Sequence, residues 1–229
     1  MMDKSVAVVI GASGGIGAAL VAALKASGGY REVVAFSRTS TPPLDITDEA
    51  SLRDAAASLA PAVPLLVIDA TGFLHDTAHR PEKAWRELDP AQMARAFALN
   101  AIGPALLMKH FLPLLPAQGR AVFATLSARV GSIGDNRLGG WYSYRASKAA
   151  LNQFVRTAAI ELARSRPQAI CVALHPGTVA TPLSAPFAKA GLAVRDSATA
   201  AQELLAVLAR LTPADSGGFF DHKGLAVPW

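Results

Sequence analysis

The chain has 229 residues, enough for one α/β domain with a sizeable core and too few for two full domains. Hydrophobic residues make up 52% and charged residues only 17%, a composition that argues against a disordered chain. The formal charge of +5 comes from 22 basic and 17 acidic residues without a basic run, so we expect no nucleic-acid partner.

Three features bear on the compartment of the protein. The single cysteine, Cys171, lies in an apolar run and has no partner for an intramolecular disulfide, which favours a reducing compartment. The N-terminal residues lead straight into a strand pattern and do not resemble a signal peptide. No apolar run approaches the ~18 residues that span a bilayer. We therefore expect a cytoplasmic protein that does not contact a membrane.

Short apolar runs alternate with helical patterns along the chain. In chain order we predict a strand over 6–10, a helix over 15–26, a strand over 32–36, a helix capped by Thr47, a strand over 65–70, a loop over 71–88, a long helix from Asp89-Pro90 towards Leu115 that bends near Gly103-Pro104, a strand over 120–126, a loop over 131–140, a helix over 142–164, a strand over 169–174, a helix over 197–211 and a strand over 218–221. This alternation predicts an α/β fold: a single Rossmann-type, doubly wound parallel sheet of about seven strands with helices on both faces. With no repeat or linker, residues 1–229 are expected to form one domain whose ligand lies beyond the carboxyl ends of the strands.

The turn after the first predicted strand is rich in glycine. It is Gly11-Ala12-Ser13-Gly14-Gly15-Ile16-Gly17, and a helix follows directly. The pyrophosphate of a dinucleotide must approach backbone N–H groups at a helix N-terminus, where side chains would block it. We therefore interpret the turn as a dinucleotide site; a bare structural turn is the alternative, and a P-loop is excluded because no Lys-Ser/Thr pair follows.

The end of the second predicted strand indicates which dinucleotide is bound. An acidic residue there would accept hydrogen bonds from the adenosine ribose and favour NAD. The chain instead has Ser37-Arg38-Thr39, and the Arg38 guanidinium can pair with a 2′-phosphate. We predict that NADP(H) is favoured over NAD(H), with an ordinary solvated arginine as the alternative.

Tyr144 and Lys148 open the helix over 142–164 and are four residues apart, so they project from one face, about 40° apart around the axis. A tyrosine with a pKa near ~10 is a poor acid–base group at neutral pH, and a fixed ammonium nearby would lower that pKa. The alternative is a tyrosine and a lysine that only share a helix face. Together with the glycine turn, the pair indicates proton-transfer chemistry beside a bound dinucleotide.

The chain resembles the short-chain dehydrogenase/reductase family from end to end, because its motifs have the order and spacing of that family. The resemblance rests on the glycine turn, Asn100, Tyr144-x-x-x-Lys148 and Pro176-Gly177. Residues 130–152 resemble a narrower group, the sniffer-type carbonyl reductases and C-factor-like proteins. The resemblance implies an NADP(H)-dependent enzyme that transfers hydride between nicotinamide and a small carbonyl or alcohol substrate, in a homodimer or homotetramer.

The resemblance also implies roles for particular residues. Tyr144 would exchange the proton with the substrate, Lys148 would hold the nicotinamide ribose and lower the tyrosine pKa, and Asn100 would keep a helix kink and a water. The implied cofactor contacts are Gly11, Ser13, Gly14, Gly15, Ile16, Gly17, Ser37, Arg38, Asp45, Ile46, Ala70, Thr71, Gly72, Asn100, Tyr144, Lys148, Pro176, Gly177, Thr178, Val179 and Thr181. Asp69-Ala70-Thr71-Gly72 stands where the family often has Asn-Asn-Ala-Gly, so the side-chain network there is expected to differ.

The serine of the family pattern S-x-x-G falls on Ala128 in this chain, with Ser127 one residue earlier. Neighbouring residues on a strand point to opposite faces, so the offset matters. A turn at the strand end would let Ser127 take the catalytic role; Ser132, or no serine, is the alternative.

Two other classes of function are considered. A C-factor-like signalling or regulatory protein would bind a nucleotide with little turnover, and the Ala128 departure favours it. Nucleotide-sugar epimerases and dehydratases share the tyrosine–lysine pair, but they carry a C-terminal substrate domain for which 229 residues leave no room. No His, Cys, Asp or Glu cluster has metal-ligand spacing, so no catalytic metal is predicted.

Overall fold

Apolar runs rich in β-branched residues form the strands of the computed structural model, which describes residues 5–187 and 194–229. The strands are β1 (Ser5–Ile10), β2 (Glu32–Phe36), β3 (Val63–Asp69), β4 (Ala121–Leu126), β5 (Ala169–His175), β6 (Thr178–Val179), β7 (Val194–Arg195) and β8 (Phe219–Asp221). The helices are α1 (Gly15–Ser27), α2 (Glu49–Ala57), α3 (Pro90–Phe97), α4 (Gly103–Phe111), α5 (Tyr142–Ser165) and α6 (Ser197–Arg210). The first four residues, which are expected not to belong to a signal peptide, lie outside the described residues, and so do residues 188–193.

The main sheet has six parallel strands in the order β2-β1-β3-β4-β5-β8, and β6 and β7 pair as a small separate sheet. The predicted Rossmann-type parallel sheet is confirmed, with six strands in the main sheet of the described residues instead of about seven. Chain order reverses direction between β1 and β3, which is where a doubly wound sheet opens a crevice for ligands.

Helices cover both faces of this sheet. Val6, Val8 and Ile10 of β1 point into a core cluster that α2, α4 and α5 complete. The alternate residues Ala7 and Val9 point into a second cluster shared with α1 and α6. Since side chains alternate across a strand, burial on both faces explains why the strand is continuously apolar.

The cap of α2 is Asp48, so the prediction that Thr47 caps this helix is wrong by one residue. The Asp48 side chain accepts a hydrogen bond from the backbone N–H of Ala50. The Thr47 hydroxyl instead donates to Asp45 Oδ1 at 2.7 Å. Both residues are good cap formers in sequence, and the hydrogen bond to Asp45 separates them.

The long predicted helix is interrupted near Gly103-Pro104, where a bend is predicted. A π-helical turn, Ala98–Ile102, joins α3 to α4 immediately before Gly103-Pro104. Proline lacks the N–H that would bond to the carbonyl four residues earlier, here that of Asn100, which favours a wider turn at this point. The interruption therefore falls on Asn100 itself.

The helical run Pro90–Leu114 has 25 residues, and an 18-residue window within it reaches a mean hydropathy of 1.2, so by length and composition alone it is able to cross a membrane. Arg95, Asn100 and Lys109 interrupt this run, so the expectation that no continuous apolar run approaches ~18 residues is not contradicted. A core helix passes the same test, and this run packs against α5 and buries Asn100 completely. We interpret it as a helix of the fold.

Candidate active site

The glycine turn lies at the carboxyl end of β1 and begins α1. Gly11 has a φ of 78°, a conformation that favours glycine, and its N–H and that of Ala12 both donate to Phe36 O at 3.0 Å. Ser13 and Gly14 are exposed at the tip. The first N–H groups of α1 have no partner within the helix. The turn therefore presents backbone donors to an anion, as a pyrophosphate site requires.

The turn has no space for side chains on its inner side. A Cβ at Gly11 would lie 3.0 Å from the carbonyl carbon of Ala70, and one at Gly15 would lie 3.0 Å from Ser197 Oγ and from Thr181 Cγ2. Ala70 follows β3, Thr181 follows β6, and Ser197 begins α6, so three separate segments close around the turn. The sequence alone gives no indication that Ser197 contacts the glycine turn, because no recognised motif marks the start of α6.

A buried carboxylate links the ends of β3 and β4. Asp69 and Thr125 are register partners, and the Thr125 hydroxyl donates to Asp69 Oδ2 at 2.7 Å. Asp69 Oδ1 accepts from the N–H and hydroxyl of Thr71 at 2.9 and 2.6 Å. Asp69 is fully buried, and burial raises the pKa of its carboxyl. These threonine partners explain how an acid replaces the asparagine common in the resembled family.

Asn100 joins the π-helical turn to the loop after β3. Its Oδ1 accepts from Phe73 N at 2.7 Å, and its Nδ2 donates to Phe73 O at 2.8 Å. The same Nδ2 lies 3.2 Å from Ser147 Oγ of α5. In the described residues Asn100 thus connects three segments that surround the expected nicotinamide position.

Lys148 is buried one helical turn after Tyr144, and its Nζ donates to Leu126 O at 2.7 Å. A Cβ at Gly72 would lie 3.9 Å from Lys148 Nζ and 4.0 Å from Asn100 Oδ1. Burial lowers the pKa of Lys148 to about 8, while the nearby Asp69 carboxylate raises it. The ammonium therefore faces the segment 70–72, which also contacts the glycine turn.

Tyr144 lies in the first turn of α5 and is partly buried. Its ring packs edge-on against Trp141 with centroids 6.1 Å apart. Burial raises the pKa of Tyr144 to about 12. The expectation that Lys148 lowers this pKa is wrong for the chain alone, because desolvation of the phenol dominates and the ammonium is directed to Leu126.

Ser127 follows the last residue of β4 and is buried. Its hydroxyl donates to Asn152 Oδ1 at 2.7 Å, two turns along α5 from Tyr144. Asn152 Nδ2 is buried and has no hydrogen-bond partner in the described structure. The other candidate, Ser132, is also buried, and its Oγ accepts from Asp135 N at 3.1 Å within its own loop. Of the two serines, Ser127 is the one bonded to α5.

The residues expected at the adenosine end lie beside β2. Ser37 begins a tight turn, in which its hydroxyl is 3.1 Å from that of Thr39, and Arg38 is exposed. Hydrogen bonds from Thr47 lower the pKa of Asp45, and the Arg38 charge adds to this effect. Ile46 is buried against α4, where a Cβ at Gly103 would lie 2.4 Å from Ile46 Cγ1. Arg38 and Asp45 are therefore neighbours at the rim of the crevice.

The remaining expected contacts follow β5. Pro176 and Gly177 lead into β6, formed by Thr178 and Val179, and Gly177 has a φ of 77°. Thr181 then reaches Gly15, as described above. The segment that follows β5 therefore reaches the glycine turn through Thr181.

Comparison with known proteins agrees with this geometry. The family model described as Enoyl-(Acyl carrier protein) reductase matches residues 11–216. C-signal of Myxococcus xanthus is 41% identical over 144 residues, which cover 62% of this chain and 82% of that protein. A 1-hydroxy-2-glutathionyl-2-methyl-3-butene dehydrogenase of Rhodococcus sp. (strain AD45) is 31% identical over 198 residues, which cover 86% and 84%.

Among solved structures, the NADPH-bound carbonyl reductase from chicken fatty liver is similar, with a TM-score of 0.86 and 28% identity over 99% of this chain and 94% of that one. The motifs, the sheet topology and these relatives agree on one type of enzyme. The chain belongs to the short-chain dehydrogenase/reductase family of oxidoreductases.

Proposed function

We propose that this enzyme transfers hydride between NADP(H) and the carbonyl or alcohol group of a small molecule, with Tyr144, Lys148, Asn100 and Ser127 at the reacting end. The observation that carries the proposal is the segment 70–72, which lies against Gly11 of the glycine turn at one end and near Lys148 Nζ and Asn100 Oδ1 at the other. Residues along it fit a dinucleotide, since a Cβ would fill the space at Gly11. When bound, the nicotinamide would supply hydride to the substrate carbon or accept it.

Tyr144 is the proton donor in this proposal. A phenol whose pKa is raised to about 12 is protonated at neutral pH, the form needed to donate to a carbonyl oxygen. Lys148, with a pKa of about 8, is mostly protonated at neutral pH and would hold ribose hydroxyls or stabilise negative charge on the phenol oxygen.

Cofactor preference is proposed from Arg38, and the NADPH bound to the chicken carbonyl reductase supports it. In steady-state assays of nicotinamide absorbance with a panel of aldehydes, ketones and quinones, we expect a higher kcat/KM with NADPH than with NADH. Arg38→Ser should raise KM for NADPH about tenfold or more, since a hydrogen bond to a charged group is worth about 1.5–3 kcal/mol. The exposed Arg53→Ser is the matched control, because Arg53 pairs with Asp54 on α2. Equal or better efficiency with NADH would contradict the preference.

Ser127 is proposed as the hydroxyl that donates a hydrogen bond to the substrate oxygen, which requires it to release Asn152. Ser127→Ala should lower kcat by about 10²-fold, the usual effect of losing one such donor. Ser132→Ala should leave kcat unchanged, because Ser132 bonds within its loop. Unchanged turnover in Ser127→Ala removes Ser127 from the mechanism, and a loss in Ser132→Ala would transfer the role.

The signalling alternative is not favoured. Tyr144, Lys148 and Asn100 are all present along one crevice, and a protein that only bound a nucleotide would not need a proton donor there. We further propose that the chain acts as one domain in the cytoplasm, as a homodimer or homotetramer. A groove of about 470 Å³ between α4 and α5, beside the exposed Phe154, supports an association of copies.

A further inference from the structure

Glu82 is a buried acid in the loop between β3 and α3, with 2% of its surface exposed. One carboxylate oxygen accepts a hydrogen bond from the N–H of Ser143 at 3.2 Å, and the other accepts from the Ser143 hydroxyl. The backbone carbonyl of Glu82 accepts from the N–H of Trp141. A loop residue 61 positions away in sequence therefore holds the start of α5 through its backbone and its side chain.

The segment that is bonded to Glu82 has an unfavourable backbone conformation. Trp141 has φ 53° and ψ 42°, and it is the one non-glycine residue with positive φ among residues 5–187 and 194–229. It follows Gly139 and Gly140, whose φ values are 62° and 64°. A bulky residue keeps such a conformation only where its surroundings hold it there. Arg145 contributes by donating to Gly140 O at 2.9 Å, and Glu82 contributes the bond to Trp141 N.

Glu82 also caps the N-terminus of α5. The N-cap position of α5 is Trp141, which makes no side-chain cap hydrogen bond. The Glu82 carboxylate satisfies the N–H of Ser143 in the first turn and places negative charge at the positive end of the helix dipole. Tyr144 is the next residue of that turn, and its ring rests against Trp141. Loosening the turn would therefore move the phenol hydroxyl.

We propose that Glu82 is a positioning residue: it holds Trp141 and the first turn of α5 so that the Tyr144 hydroxyl faces the substrate. The role in catalysis rests on the function proposed for Tyr144. Glu82 bonds to Trp141 and Ser143 at the start of α5, and it acts on the reaction through these two residues.

The test compares Glu82→Ala and Glu82→Gln with Glu87→Ala. Glu87 is a matched control, since its carboxylate accepts the N–H of Lys83 at 2.7 Å within the same loop. Glu82→Ala should lower kcat by about 10²-fold, because a misplacement of about 1 Å near the chemistry costs that much. Glu82→Gln, which keeps one acceptor oxygen, should recover part of the rate. The dissociation constant for NADPH should stay the same in all three variants, since the glycine turn is at the other end of the crevice.

Hydrogen exchange gives a readout that does not depend on turnover. Backbone amides of residues 141–145 should exchange faster in Glu82→Ala than in the parent and in Glu87→Ala. A folded Glu82→Ala with parental kcat and parental exchange would overturn the proposal, as would a kcat loss shared equally by Glu87→Ala. If the parent reduces no carbonyl with either cofactor, the proposed function fails while the exchange comparison still tests Glu82.

A second set of variants covers the case in which Glu82→Ala does not fold. Glu82→Gln, Ser143→Ala and the double variant then form a cycle in log kcat. Coupling between the two substitutions supports the proposal, and strict additivity overturns it.

Discussion

Replacing Tyr144 with phenylalanine is expected to lower kcat for carbonyl reduction by about 10²- to 10⁴-fold, the usual contribution of a positioned proton donor. The substitution removes only the hydroxyl and keeps the ring that packs against Trp141. The temperature of unfolding and the dissociation constant for NADPH should therefore change little. Initial rates, thermal unfolding and a cofactor titration on the same preparation measure these three quantities.

Tyr142→Phe is the matched control for this variant. Tyr142 is the first residue of α5 and lies six positions before Lys148, so the two do not share a helix face. It should keep the parental kcat. If Tyr144→Phe reduced carbonyls at the parental rate, the proton-donor assignment would have to be abandoned.

Gly17→Ala is expected to abolish tight binding of the dinucleotide. A Cβ at Gly17 would lie 2.2 Å from Gly11 O and 2.8 Å from Gly11 C, closer than non-bonded atoms approach. The obstructing atoms are backbone, so α1 must move away from the glycine turn and carry its N-terminal N–H groups with it. Overpacking of this kind also lowers the free energy of unfolding, by about 1–3 kcal/mol. Cofactor titration and denaturant unfolding measure the two effects.

Gly29→Ala adds the same methyl group just beyond the other end of α1. A Cβ there would lie 3.6 Å from Ser27 Oγ, which is ordinary contact distance. This control should bind cofactor as the parent does. Parental affinity in Gly17→Ala would show that the glycine turn is not the pyrophosphate site.

Much of the sheet is predictable because its strands are buried on both faces. The run 6–10 is predicted as a strand and is found as β1, Ser5–Ile10, in which every residue is buried. The helix predicted over 15–26 is found as α1, Gly15–Ser27, and it ends where Gly28 adopts the left-handed conformation with a φ of 62°. These elements depend on local pattern and on backbone conformations that few residues allow.

The contacts inside the site depend on the folded chain and leave little local signal. A strand pattern places Ser127 at the end of β4, but only the packing of α5 shows that its hydroxyl bonds to Asn152. The raised pKa of Tyr144 follows from its burial in the folded chain. Glu82 lies in a polar loop 61 positions from Ser143, and nothing in its local sequence indicates the contact.

The paired bonds between Asn100 and Phe73 have a consequence for how the enzyme adapts to molecules of different size. Both backbone groups of Phe73 are tied to one amide that is fully buried. Sliding the chain at Phe73 would leave the buried Asn100 Oδ1 without its donor and Nδ2 with only Ser147 Oγ, at a cost of about 1–3 kcal/mol. The chain is thus fixed at Phe73, and any widening of the site on this side must begin at residues that follow Phe73.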